Sequence, residues 1–354
     1  MTDGVSLTGG PACPVPLSAS ARVLLGHGSG GKLSAALVRD RFLPRFTNPA
    51  LAALGDAAVL DAPDGRLVVS TDSFVVSPLE FPGGNIGTLA VHGTVNDLAM
   101  MGATPRWLTA GFVLEEGLSF DLLDRILDAM AAAAHADGIT IVAGDTKVVE
   151  RGKADGLFIN TTGIGIQSPD FRPAPDRIRP GDAVLVSGAI GRHGIAVMAV
   201  REGLRFDTTI TSDTACLAPL VALLRDRVGD AVHALRDPTR GGVATTLNEL
   251  AQASHVGIEL DERVLPVPGP VAAACAVLGL DPLYVANEGL LVAFVAADRA
   301  EAALATLRSH PLGAGAVRIG TSTDAHPGLV TLRTTIGGRR IVDTLPGDQL
   351  PRIC

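Results

Sequence analysis

Aromatic side chains are scarce in this chain of 354 residues, with 10 Phe, 1 Tyr and 1 Trp. There is no block of basic residues and no stripe of aromatics interleaved with Lys or Arg. Acidic residues outnumber basic ones, 37 to 29, for a net charge of −8. Together these absences argue against a nucleic-acid partner. No apolar run reaches the roughly 18 residues a membrane span needs. The opening "MTDGVSLTGGPACPVPLSAS" lacks the basic start and apolar stretch of a secretion signal. Cysteine is limited to Cys13, Cys216, Cys275 and Cys354, and none forms a CxxC pair. That spacing supports neither a zinc knuckle nor a dithiol redox motif and fits a reducing cytoplasm.

What is present is the balance of a globular chain, 47% hydrophobic and 19% charged. At roughly 150 residues per domain the length suggests two domains. Such a chain can bury a large core without disulfides. Residues 1–21, rich in Gly and Pro, read as a flexible leader. From there strands and helices alternate. "RLVVSTDSFVV" is β-branched and reads as a strand. "NIGTLAVHGTVNDLAMMG" has helical spacing, with Asn85 as its N-cap. "SFDLLDRILDAMAAAAHA" is the clearest helix, with Ser119 placed to cap it and Leu122, Ile126 and Met130 on one face. "GITIVAGDTK" reads as a buried strand running into a loop. The four prolines of "SPDFRPAPDRIRP" mark a domain boundary. The first domain is therefore placed at 22–172 and the second, also α/β, at 173–343. Near the end, "LVTLRTTIGGRRIVD" carries a hairpin signal around Gly337-Gly338. Residues 344–354 have no periodicity and read as an irregular, flexible tail.

Five features carry chemistry. The glycine cluster "LLGHGSGGKLS" half-fits two nucleotide signatures. The dinucleotide fingerprint lacks its ribose-binding acid at the right distance, and the phosphate-loop pattern has Leu33 where Ser or Thr should stand. What remains is a turn with exposed backbone N–H groups and Lys32, able to fold over phosphates. Asp56, Asp72, Asp97 and Asp145 each end an apolar run. A lone aspartate in that setting is ordinarily a cap or turn residue, but carboxylates converging from separate elements are how magnesium is held beside nucleotide phosphates. Lys147, two residues past Asp145, shares its face if the segment is extended. "LRDPTRGG" sets Arg236, Asp237, Thr239 and Arg240 before a helix, as an ordinary loop or as an anion site. "ANEG" places Asn287 and Glu288 between two apolar runs, where an unpaired charge would be costly. The chain ends "LPRIC", so Cys354 is its last residue.

Together "HGSGGK", "GDAAV", "STDSFVV", "GGNIGTLAVHGTVNDLAMMGA", "AGDTKVV", "FINTTGIG", "RDPTRGG", "ANEG" and the terminal "PRIC" resemble the HypE hydrogenase-maturation family, carbamoyl dehydratases of the aminoimidazole-ribonucleotide-synthetase-like (PurM-like) superfamily. The ending "PRIC" singles out this family among its sisters. The resemblance implies a two-domain α/β (α+β) fold and a homodimer whose first-domain sheets pair into a barrel-like core, with ATP near that interface. It implies that a carbamoyltransferase, HypF, loads a carbamoyl group on Cys354, that ATP drives its dehydration to S-cyanide, and that the cyanide passes to a HypC–HypD scaffold for the iron of a nickel–iron hydrogenase. Carried over, Asp56, Asp72, Asp97 and Asp145 hold Mg2+ and nucleotide, and Lys32 with Gly30 and Gly31 covers the phosphates. Thr146 joins them, with Asn96, His92, Asn160 and Arg240 as second-rank candidates. Lys147 polarises the carbamoyl oxygen or the γ-phosphate, and Glu288 is the acid/base. The alternative within the superfamily is a selenophosphate synthetase or a thiamine-monophosphate kinase. The first carries a reactive Cys or Sec in the glycine loop, absent here, and the second has no use for a terminal thiol. A non-enzymatic scaffold would not need the four aspartates or Lys147. Prenylation places its cysteine four from the end and is excluded.

Overall fold

The computed structural model describes residues 21–354 except 30, 53, 55, 56, 62, 205–209, 346, 348, 349 and 351. The leader with Cys13, and the candidates Gly30 and Asp56, lie outside the described residues. In chain order the first part contains α1 (Gly31–Leu37), α2 (Leu43–Phe46), α3 (Pro49–Ala52), β1 (Arg66–Phe74), β2 (Glu80–Phe81), β3 (Gly84–Asn85), α4 (Ile86–Met100), β4 (Ala103–Glu115), α5 (Phe120–Ala136), β5 (Thr140–Val149) and β6 (Leu157–Gln167). The second contains β7 (Ala183–Val186), α6 (Arg192–Arg201), α7 (Ala218–Arg227), β8 (Val232–Arg236), α8 (Gly242–Ser254), β9 (Gly257–Asp261), α9 (Gly269–Leu278), β10 (Val292–Val295), α10 (Ala300–Arg308), β11 (Val317–Thr323), β12 (Val330–Arg333) and β13 (Arg339–Val342).

Asn85 caps α4 as its sequence position asks. Its Oδ1 accepts from the Gly87 and Thr88 N–H groups at 2.9 and 3.1 Å. Ser119 stands at the N-cap of α5 but makes no side-chain cap bond, which corrects the expected role. Helix α4 is buried almost all round, because it lies on the first sheet on one side and meets the second domain on the other. That double contact carries Asp97, in its last turn, to the boundary between the domains.

The first sheet has the order β1-β6-β4-β5, antiparallel except for the parallel β4–β5 pair. One face packs on α4 and α5 through Leu89, Leu108, Leu114, Leu123 and Ile126. The other face is open, and Leu67 and Val69 on it are 63% and 62% exposed. The second sheet has seven strands in the order β13-β12-β9-β11-β7-β10-β8. Its central strands read "AVLV" and "VAFV" and are buried on both faces, so they show no polar alternation. Val184, Val186 and Phe294 meet α8, while Leu185, Ala293 and Val295 meet α7 and α10. β12 and β13 form the hairpin expected around Gly337, which has φ +90°.

Candidate active site

Five acids gather where α4 meets the second domain. Asp72 comes from β1, Asp97 from α4, Asp213 from the segment before α7, Asp237 from the loop after β8, and Glu288 from the loop before β10. Thr94 donates to Asp72 Oδ2 at 3.3 Å, and Ser70 donates to Asp97 Oδ2 at 2.6 Å. Asn287 aligns the two second-domain loops. Its Nδ2 donates to the Pro238 carbonyl at 3.0 Å, and its Oδ1 accepts from Gly191 N–H at 2.7 Å. Asp213 holds the neighbouring turn by accepting from the Glu288 and Gly289 N–H groups, both at 3.2 Å. Gly289 sits so close to the Asp213 carbonyl that a side chain there would collide with it, which explains glycine in "ANEG". Glu288 is thereby fixed at 3% exposure, with Oε1 buried and without a hydrogen-bond partner.

The electrostatics follow from burying acids together. Burial and the neighbouring Asp97 push Asp72 up to about 6. Burial, then Asp97, pushes Asp237 up to about 7. Glu288 is raised well above its usual range by burial and then by the charges of Asp237, Asp213, Asp72 and Asp97. Arg240 offsets part of this at Asp72. Such a site is short of positive charge, yet among the described residues no three of these side chains are arranged to hold a metal ion together.

The tail ends in the same place. A cleft of about 590 Å³ is walled by Asp237, Thr239, Arg240 and Ala286 on one side and by Leu350 and Ile353 on the other. Ile353 is 2% exposed and packs with Phe74, Val76, Val197 and Ala286, with Cys354 against the same cluster. Val75 N–H donates to the Cys354 terminal carboxylate at 3.1 Å, and Ser77 N–H donates to the Arg352 carbonyl at 3.2 Å. The Arg352 guanidinium pairs with Asp155 at 2.7 Å. The irregular arm read from the sequence is therefore seated in this structure.

The remaining candidates lie elsewhere on the first domain. The register aligns Ser73, Asn160, Gly111 and Asp145 across the sheet, while Asp72 aligns with Thr161, Ala110 and Gly144. Thr161 is buried against Ala90 and Thr94, so Asp72 faces α4. By strand alternation Asp145, Lys147 and Asn160 belong to the open face. Asp145 and Lys147 are 72% and 66% exposed and lie 3.6 Å apart. The glycine turn is seated beside them, since a Cβ on Gly28 would overlap the backbone of Val148. Lys32 is exposed at the start of α1, just after Gly31 with φ +75°. Thr146 and Asp145 line a separate cavity of about 230 Å³ with Phe42 and Phe46. Asn96 is engaged with backbone instead, accepting from Leu217 N–H at 2.7 Å and donating to the Ala215 carbonyl at 3.0 Å. His92 bonds Thr214 at 3.1 Å and is pushed down to about 4 by burial.

Comparison with known proteins decides the family. The AIR synthase related protein N-terminal domain matches residues 54–167, and the corresponding C-terminal domain matches 179–332. Carbamoyl dehydratase HypE of Rhizobium leguminosarum bv. viciae is 53% identical over 336 residues, covering 95% of this chain and 96% of that protein. The chain belongs to the HypE carbamoyl dehydratase family. A crystal structure of hydrogenase maturation protein HypE in complex with ATP superposes with a TM-score of 0.90 at 52% identity, covering 94% of this chain and 99% of that one. A HypE–HypF complex gives 0.77 at 49% identity, covering 88% and 100%. As a HypE-family member the protein is an enzyme of hydrogenase maturation.

Against this HypE frame, one chain brings together Asp72, Asp97, Arg240, Glu288 and the tail. It leaves Asp145, Lys147 and Asn160 on the far face of the first sheet and Lys32 exposed at the start of α1. Asp237 and Asp213 were not singled out as site acids. Asp237 had a signal, since it precedes Pro238 in the polar loop already marked. Asp213 had none, because its segment lacks periodicity.

The raised acids make a prediction about pH. Asp72 and Asp237 hold their protons more tightly when folded than at the usual 3.8. The stability they contribute is full at low pH and is lost as pH rises through about 6 and about 7. Asp72→Asn should remove much of this, raising the unfolding midpoint of nucleotide-free protein at pH 8 but not at pH 5. About 2–4 °C is expected per kcal/mol recovered. Differential scanning fluorimetry at both pH values checks it. An equal shift at both would show that the aspartate is not strained by its neighbours.

Proposed function

We propose that the protein dehydrates a carbamoyl group carried on its own Cys354 to an S-cyanide, using ATP and Mg2+. The observation carrying this reading is the shared cleft: Ile353, next to the terminal thiol, walls one space with Asp237 and Arg240. Neither a kinase nor a selenophosphate synthetase of this fold has need of such an arm. A thiamine-monophosphate kinase from Stenotrophomonas maltophilia shares the fold at 25% identity with a TM-score of 0.63.

An amide oxygen is a poor leaving group. In the balanced reaction R–S–CO–NH2 and ATP give R–S–CN, ADP and phosphate. The carbamoyl oxygen leaves in the phosphate and both N–H protons depart. ATP would supply the phosphoryl group, and a Mg2+ held by Asp72 and Asp97 would supply charge neutralisation. The acid pair and the orphaned Glu288 oxygen suit such a guest. The chain's own residues bind and move protons. Glu288, buried beside the cleft, exchanges the N–H protons. Its raised proton affinity brings it nearer the working pH than an ordinary carboxylate. Arg240 balances negative charge at Asp72. Lys147 and Lys32 serve the phosphates and the developing oxyanion.

Lys147 stands on the open side of the first sheet, and Lys32 is exposed at the start of α1. A second copy laid on that face, over Leu67 and Val69, would form the homodimer and enclose them. A HypE–HypF complex of a relative supports HypF as a partner; in this reading HypF loads the carbamoyl group and HypC–HypD accepts the cyanide. The site of action is the cytoplasm, and no helix among the described residues is long and apolar enough to cross a membrane. Intact-protein mass spectrometry on HypF-loaded protein tests the reading. A loss of one water, about 18 Da, after adding ATP and Mg2+ is expected. An unchanged carbamoyl mass with ATP consumed would point to the phosphotransfer alternative.

A further inference from the structure

The docked tail is held mainly by its backbone, and one donor comes from a histidine that no catalytic step uses. The Arg352 and Ile353 carbonyls and the Cys354 terminal carboxylate each have a donor. Ser77 N–H and the Arg201 guanidinium reach Arg352, His193 Nε2 reaches Ile353 at 2.8 Å, and Val75 N–H reaches Cys354 at 3.1 Å. His193 is the first-turn residue of α6 that follows Arg192, and its ring is 0% exposed. Its other nitrogen, Nδ1, lies 2.8 Å from Ser212 Oγ. Phe81 meets the ring edge-on at 5.4 Å and fixes its plane.

The bonding fixes the tautomer. A carbonyl only accepts, so Nε2 must carry the hydrogen. In a neutral ring Nδ1 is then the acceptor, and the Ser212 hydroxyl must donate to it. Ser212 Oγ also accepts from Thr214 N–H at 3.1 Å, which leaves its own proton for the ring. Burial depresses the histidine to about 4, so the ring is neutral at working pH. Ser212 itself is anchored to the first domain, its N–H donating to the Pro82 carbonyl at 2.8 Å. Gly83 passes so close to Ser212 that a Cβ there would sit 2.9 Å from the Ser212 nitrogen. The pair therefore spans both domains at the point where the tail enters.

We propose that His193, oriented by Ser212, is a positioning residue that sets the register of the docked tail and so places the Cys354 thiol in the cleft. A carbonyl reader is indifferent to what the sulfur carries. The same grip can hold the free, carbamoylated and cyanated forms, while Ile353 fills the apolar seat. The proposal rests on the reading of Cys354 as the substrate carrier, but its test does not need turnover.

The experiment is peptide-resolved alkylation of the full-length protein with a small maleimide, followed alongside ATP affinity. Losing one buried hydrogen bond loosens a docked segment about five- to tenfold. His193→Leu should therefore speed Cys354 alkylation by that factor, with Cys216 and Cys275 still protected and ATP affinity unchanged. His193→Gln, whose amide N–H2 replaces Nε2–H, should return the rate to within about twofold of the parent. Ser212→Ala, which frees the ring to take the wrong tautomer, should raise it about threefold. An unchanged Cys354 rate in His193→Leu and Ser212→Ala overturns the proposal. So does a His193→Gln rate as high as that of His193→Leu. If His193→Leu also exposes Cys216, the Ser212→Ala and His193→Gln rates decide. Failure of the dehydration reading would instead appear in the mass assay and leave these rates intact.

Discussion

A Cys354→Ala protein is expected to form no bound cyanide while binding ATP within about twofold of the parent. The proposed chemistry allows no partial result, because a thiocyanate product needs a sulfur at the end of the arm. The other described thiols are poor substitutes. Burial pushes Cys216 up to about 12, with Asp137 adding to it, and pushes Cys275 up to about 11. The thiolate is the form that reacts, so neither is a nucleophile near neutrality. Both are also fixed in the interior, at 8% and 1% exposure, and cannot visit a second active centre for loading. Nucleotide affinity should survive, because the acids, Arg240 and Lys147 keep their places and Ile353 still fills its seat. Calorimetry for ATP and mass spectrometry of HypF-treated protein after adding ATP and Mg2+ would separate the two effects. An 18 Da loss on any peptide of the alanine variant would sink the assignment of Cys354 as carrier.

Much of the fold was written in local patterns. The cap at Asn85, the amphipathic stripe of α5 and the Gly337-Gly338 hairpin depend on neighbours within a few residues, which is the range a sequence exposes. The site was legible in part. Asp72 and Asp97 were marked as acids ending apolar runs and Glu288 as an acid between two such runs, and their charges act on one another in the fold. Strand pairing decided what the sequence left open. Asp72 and Asp145 look alike in sequence, yet the β1–β6–β4–β5 register turns one toward α4 and the other toward the open face. A shift of one residue would have exchanged them. Asp213 and His193 were out of reach for a different reason. Each acts across more than 70 residues of chain, on Glu288 and on Ile353, through contacts that leave no periodic trace.

Glu288→Gln is expected to stop the reaction with the carbamoyl group still on Cys354. Burial and four neighbouring acids raise Glu288 well above an ordinary carboxylate, which favours its protonated form. Glutamine has nearly the shape of that neutral form and makes the same demands on its surroundings. The fold should therefore tolerate it, and the unfolding midpoint at pH 7 should stay within about 2 °C. What glutamine lacks is the capacity to give up and recover a proton, a contribution of about 10²–10⁴ in rate. The variant should thus load from HypF, bind ATP and accumulate the carbamoylated mass over hours. A pH–rate profile adds a second check. In the parent, single-turnover dehydration should rise with pH as Glu288 ionises, and the residual rate of the variant should lose that limb. Were the variant to lose water as fast as the parent, the proton would have to leave by another route. Asp237, raised to about 7 in the same cleft, would be the next group to substitute.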